Sequence, residues 1–97
     1  MTYTEESIRA SVKADEARFL APWREGRPEG YTPGPQMRDL LCIGAWLREE
    51  LTRSGVSDDE RRKQERLFNS FSRGREDLFR LAAEILNHTV RLDGQPV

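Results

Sequence analysis

The sequence predicts an all-α fold: a small helical bundle built on an antiparallel helical hairpin with a long C-terminal helix. Three observations carry that reading. Apolar residues recur at three- and four-residue spacing along most of the chain. A strong helix-start signal, Ser57 followed by Asp58, Asp59 and Glu60, stands just after Gly55, a natural helix stop. Four of the five prolines fall in one short stretch, residues 21–35, so the rest of the chain is nearly free of helix breakers.

The first helix is expected over residues 4–20. Thr2 and Glu5 have capping-box spacing, and Thr4 is a second possible cap. Ile8, Val12 and Phe19 form a narrow apolar stripe with Ala10, Ala14 and Ala17 between them. Pro22 is expected to end this helix. Residues 21–35 then read as a Pro/Gly-rich crossing loop, which carries Trp23 and Tyr31. Two large aromatics in a loop predict that it lies over the bundle, with Trp23 filling a gap and the loop covering Trp46.

The second helix is expected to start at Pro35, a residue suited to a first helical turn, and to stop at Gly55. Met37, Leu40, Leu41, Gly44, Leu47 and Leu51 share one face, and Ile43 and Trp46 widen it. This should be the most buried helix. Gly44 sits in mid-stripe, where either a close helix crossing or simple tolerance accounts for it.

From Leu67 onward the series Leu67, Phe71, Gly74, Leu78, Leu81, Ile85, His88, Leu92 keeps a heptad spacing. Ser70, Ser72, Arg73 and Gly74 are locally poor helix formers and could break the chain into two helices. The unbroken phase favours one long helix, bent at Gly74. Spanning residues 57–91, it would be about 50 Å long, against a radius of gyration of about 13 Å for a domain of this size. An overhanging apolar seam of Leu67, Phe71, Leu78, Leu81, Ile85 and Leu92 predicts a homodimer. Residues 93–97 should form a frayed tail.

The 97 residues make a single domain, residues 1–97. Sixteen basic residues against seventeen acidic give a net charge of −1, which exerts no long-range pull on nucleic acid or anionic lipid. The only cysteine, Cys42, excludes an internal disulfide. No apolar run approaches a membrane span or a secretory signal, so no membrane partner is expected and the cytoplasm is the expected compartment.

No catalytic constellation is visible, and no cofactor is expected. The adjacent acids Asp15-Glu16 and Asp58-Asp59 do not face each other on a helix. His88 and Cys42 are each alone of their kind, which makes a His/Cys metal site improbable. Arg38 near Cys42 could lower the thiol pKa, yet a packed thiol is the simpler reading.

Partner-binding candidates are the hot-spot aromatics Trp23, Tyr31 and Trp46, with Ile43 beside the last, and the basic stretch Arg61, Arg62, Lys63 and Arg66. The expected function is a non-catalytic protein–protein interaction module: an adaptor, regulator or inhibitor of another protein. The alternative is a nucleic-acid-associated regulator using the basic stretch. Interleaved Asp58, Asp59, Glu60 and Glu65 count against it. So does the lack of an apolar residue in the first turn of the helix after Ser57. A small enzyme ranks third.

Overall fold

The computed structural model describes residues 2–90 and is all-helical over them. Five helices follow in order: α1 Glu5–Ala14, α2 Glu16–Arg24, α3 Pro35–Arg53, α4 Asp58–Phe71 and α5 Leu78–Thr89. Of the expected seam and tail, Leu92 and residues 93–97 lie outside the described residues.

Helix α1 begins at Thr4. The Ser7 amide donates to Thr4 Oγ1 and the Thr4 amide donates to Ser7 Oγ, both at 3.1 Å. This is a capping box with serine in the usual place of glutamate. The expected single helix over residues 4–20 breaks at Asp15, whose amide donates to the Val12 carbonyl at 3.2 Å. The break lets one amphipathic stretch serve two neighbours. Ile8 and Val12 are buried on α1, which packs mainly on α5, while Phe19 and Leu20 are buried on α2, which packs on α3. Pro22 lies inside α2 and does not end it. It comes two residues before the helix finishes, so the missing amide removes a bond only from the last turn.

Helix α3 matches its expected limits. Pro35 occupies the first turn. At the far end Gly55 takes a left-handed φ of +78°, and the Val56 amide reaches back to the Leu51 carbonyl at 3.2 Å. That closes the helix as a Schellman turn. Ser57 Oγ then accepts the Glu60 amide at 3.3 Å and opens α4. Two contacts run in opposite senses along the two helices, Gly44 against Phe68 and Arg48 bonded to Glu65, and Gln36 reaches Arg75 just beyond the end of α4. Helices α3 and α4 are therefore antiparallel.

The expected continuous helix over residues 57–91 is not formed. Helix α4 stops at Phe71, Gly74 adopts φ +74°, and α5 starts at Leu78. The left-handed backbone at Gly74 is one that other residues adopt only at a cost of about 1–2 kcal/mol. The turn is tied by Arg75, whose guanidinium grips the Asp77 carboxylate through two 2.7 Å bonds and holds its pKa down at about 2. The chain folds back so that α5 can pack on α1, α3 and α4.

Leu78, Leu81 and Ile85, expected on a dimer seam, are consequently buried in the core of their own chain. Leu67 is half-buried, and Phe71 is 54 % exposed. A heptad phase groups residues on one helical face; it does not report whether the chain turns between them.

Helix α5, and not α3, is the most buried element, with eight of twelve residues inside against five of nineteen. Arg9 on α1 lays its guanidinium over the Phe79 ring at 4.2 Å, sealing one edge of the α1–α5 contact. Gly44 faces Phe68, whose Cε1 lies 3.8 Å from where a β-carbon would sit. That is ordinary contact, so the crossing does not require glycine. No helix among the described residues is long and apolar enough to cross a membrane.

Candidate functional site

The loop between α2 and α3 builds a small aromatic stack. Trp23 comes from the last turn of α2 and is half-buried; Tyr31 comes from the loop and is 58 % exposed. Two tight turns bring them together. The Arg27 amide donates to the Arg24 carbonyl at 3.0 Å, and the Tyr31 amide donates to the Pro28 carbonyl at 3.1 Å. The rings stack with centroids 5.5 Å apart and planes 14° from parallel. The Arg27 guanidinium also lies over the Trp23 ring, 4.3 Å from its centre, and donates to the Trp23 carbonyl. Such contacts contribute about 0.5–1.5 kcal/mol for an aromatic pair and about 0.5–1 kcal/mol for an exposed cation on a ring. The loop is thus ordered by its own side chains and leaves much of Tyr31 open to solvent.

Against Trp46, which the loop is expected to cover, lies Tyr3. Its ring meets Trp46 edge-on at 6.3 Å, and its hydroxyl donates to Glu50 Oε1 at 2.8 Å. Asn87 on α5 clamps the Tyr3 backbone in turn, accepting its amide at 2.9 Å and donating to its carbonyl at 3.0 Å. Trp46 is 7 % exposed and Ile43 fully buried. Both are therefore core residues, and the expected contact patch at Ile43 and Trp46 is absent from the folded surface. The signal that could have found this is Tyr3 itself, an isolated aromatic in an otherwise polar N-terminal segment.

The basic stretch divides. Arg61 is largely buried and bonds to Glu65 at 2.7 Å, with Asp58 at 3.7 Å. Glu65 also accepts from Arg48 at 2.7 Å, so this part of the stretch is spent on joining α3 to α4. Arg62 is exposed, and its closest acid is Asp59 at 3.9 Å. Lys63 and Arg66 are exposed on the outer face of α4. Such surface pairs contribute about 0–1 kcal/mol each.

A shallow groove of about 350 Å³ between α3 and α4 was not evident from the sequence. Gly44, Ala45, Phe68 and Asn69 line it, with Arg48, Glu49 and Glu65 at its rim. Arg18 grips Glu49 and lowers its pKa. Arg48 is likewise held by Glu65, so the rim charges are satisfied by one another.

Cys42 is 1 % exposed. Burial first, and then the charges of Glu16 and Asp39, push its pKa up to about 11 against the opposing pull of Arg38. Arg38 is itself paired with Glu16 at 3.4 Å. The group is a packed neutral thiol and not a nucleophile. A disulfide-exchange reagent at pH 8 should label the native protein at least about a hundredfold more slowly than the unfolded chain. Equal labelling rates would show that Cys42 is accessible. His88 is exposed near the end of α5. Among the described residues, no group of three His, Cys, Asp or Glu side chains is placed to hold a metal ion.

Comparison with known proteins finds no matching family model, no matching curated protein and no matching solved structure, so the chain's function rests on its own residues.

Proposed function

We propose that this chain is a non-catalytic interaction module that binds another protein, as an adaptor, regulator or inhibitor, through the stack of Trp23, Tyr31 and Arg27. The observation that carries this reading is the exposure of Tyr31 on a ring that is already held in place. Trp, Tyr and Arg are the residue types enriched where binding energy concentrates. Pre-stacking means that little side-chain freedom remains to be lost on binding, which is the usual brake on loop-mediated recognition. Pro28 and Pro33 stiffen the same loop.

The nucleic-acid alternative would now rest on Arg62, Lys63 and Arg66 alone. Arg61 is committed to Glu65 and Asp58, and acids remain interleaved along the face. This pattern favours a solvated helix surface over a phosphate-binding one.

The test is affinity capture from the native host with wild-type and Tyr31→Ala baits, their helical circular dichroism matched beforehand. A partner held by wild type should bind Tyr31→Ala at least about thirtyfold more weakly, as expected of a hot-spot residue. Equal capture by both baits would remove the stack from the interface. Salt-sensitive retention of RNA or DNA, lost on replacing Arg62, Lys63 and Arg66 by alanine, would establish the alternative instead.

A further inference from the structure

We propose that two copies of this chain exchange α5 by straightening the turn at residues 72–77, giving a domain-swapped dimer in which each α5 fills the cleft of its partner. The inference is independent of the aromatic stack. It starts from the fit of α5, which buries eight of its twelve residues against α1, α3 and α4 of its own chain. The cleft already accepts this sequence, so an α5 from a second copy recovers the same contacts without any new complementarity.

The turn that keeps α5 at home is short and lightly held. Gly74 supplies its left-handed backbone, and nothing lies within 4 Å of the place where a side chain would start. The Arg75–Asp77 clasp is exposed enough to be worth little. The remaining ties are the Arg75 amide on the Ser72 carbonyl at 3.2 Å and Gln36 Nε2 on the Arg75 carbonyl at 3.3 Å. Ser72 itself is buried and its hydroxyl donates to the Asn69 carbonyl at 2.9 Å, so the turn is anchored at its α4 end, while the ties from residue 73 to residue 77 lie at the surface.

Straightening also has a driving force. Leu67, Phe71, Leu78, Leu81 and Ile85 are separated by four, seven, three and four residues, so a continuous helix would place all five on one stripe. In the closed monomer that stripe is cut, and Phe71 is left 54 % exposed at the cut end. Two straightened helices crossing at their hinges would cover Phe71 and Leu67 with the equivalent residues of the other copy. The Asn87 clamp on Tyr3 would re-form between chains.

The protein should be refolded at millimolar and at micromolar concentration, and its mass read by light scattering. Gly74→Ala removes the residue suited to the turn and favours helix there, so it should raise the dimer fraction at least about tenfold. A second variant, Arg75→Ala with Asp77→Ala, keeps Gly74 and removes only the clasp. It should shift the equilibrium in the same direction by a smaller factor, and gives the readout if Gly74→Ala does not fold. Exchange itself is read by a short thiol cross-linker on Tyr3→Cys with Asn87→Cys in a Cys42→Ala background. The dimer should yield covalently joined chains, whereas the monomer should yield links within one chain. Variants that remain monomeric at every concentration would overturn the proposal. So would a dimer whose links stay inside each chain.

Discussion

Replacing Phe68 with alanine should destabilise the domain by about 3–5 kcal/mol, out of a total of about 5–15 kcal/mol for a small domain. Helix α4 is the most polar of the five, and Phe68 is its only buried residue. The ring is 1 % exposed. Its neighbour across the interface is Gly44, which has no side chain to move into the space that alanine would leave. A cavity with a glycine wall relaxes poorly, which places the cost toward the upper end of the range. The other attachments of α4 are weak by comparison. The Ser57 cap is worth about 1 kcal/mol, and the exposed Arg48–Glu65 pair about 0–1 kcal/mol. The denaturation midpoint of Phe68→Ala should therefore fall steeply, and amide protection along α4 should be lost with it. A midpoint within about 1 kcal/mol of wild type would mean that the charged network, and not the ring, holds α4 in place.

Phe68 also shows how far the sequence could be read. It stands one residue after Leu67 of the heptad series, and the inward positions that follow from periodicity are those of Ile8, Val12, Leu47, Leu51 and Leu81. The stop at Gly55 and the start at Ser57 were legible because their signals are local: a glycine that tolerates left-handed backbone, and a hydroxyl that accepts a free amide. The breaks at Asp15 and Gly74 were not settled in the same way. On either side of each, the apolar phase runs on as if the helix continued. What decides the matter is tertiary: α1 and α2 lie against different neighbours, and α5 is drawn back into the core. The candidate site was legible in residue type but not in arrangement. Trp23, Tyr31 and Trp46 could be singled out as large aromatics, yet which of them stays on the surface depends on contacts across long stretches of chain. Tyr3 reaches Glu50 and Asn87, contacts that no local pattern encodes.

Trp46→Ala should weaken partner binding only as far as it destabilises the fold, and not by removing a contact. The side chain is 7 % exposed and sits in the main core cluster with Ile43 and Leu47. Truncating a buried tryptophan costs about 3–5 kcal/mol. The edge-on pairing with Tyr3 adds about 0.5–1.5 kcal/mol, and its loss would release the Tyr3 clamp that joins α3 to α5. Thermal melting should report a large fall in transition temperature, together with weaker amide protection in both helices. Tyr31→Ala should lower the melting temperature far less, because the side chain is mostly in solvent and only its stack on Trp23, worth about 0.5–1.5 kcal/mol, is lost. Comparing the two variants separates stability from recognition. If Trp46→Ala kept its wild-type melting temperature while losing a partner, Trp46 would have to be reachable from the surface. The Tyr3 lid would then be an opening element, and the contact surface would move from the α2–α3 loop to α3.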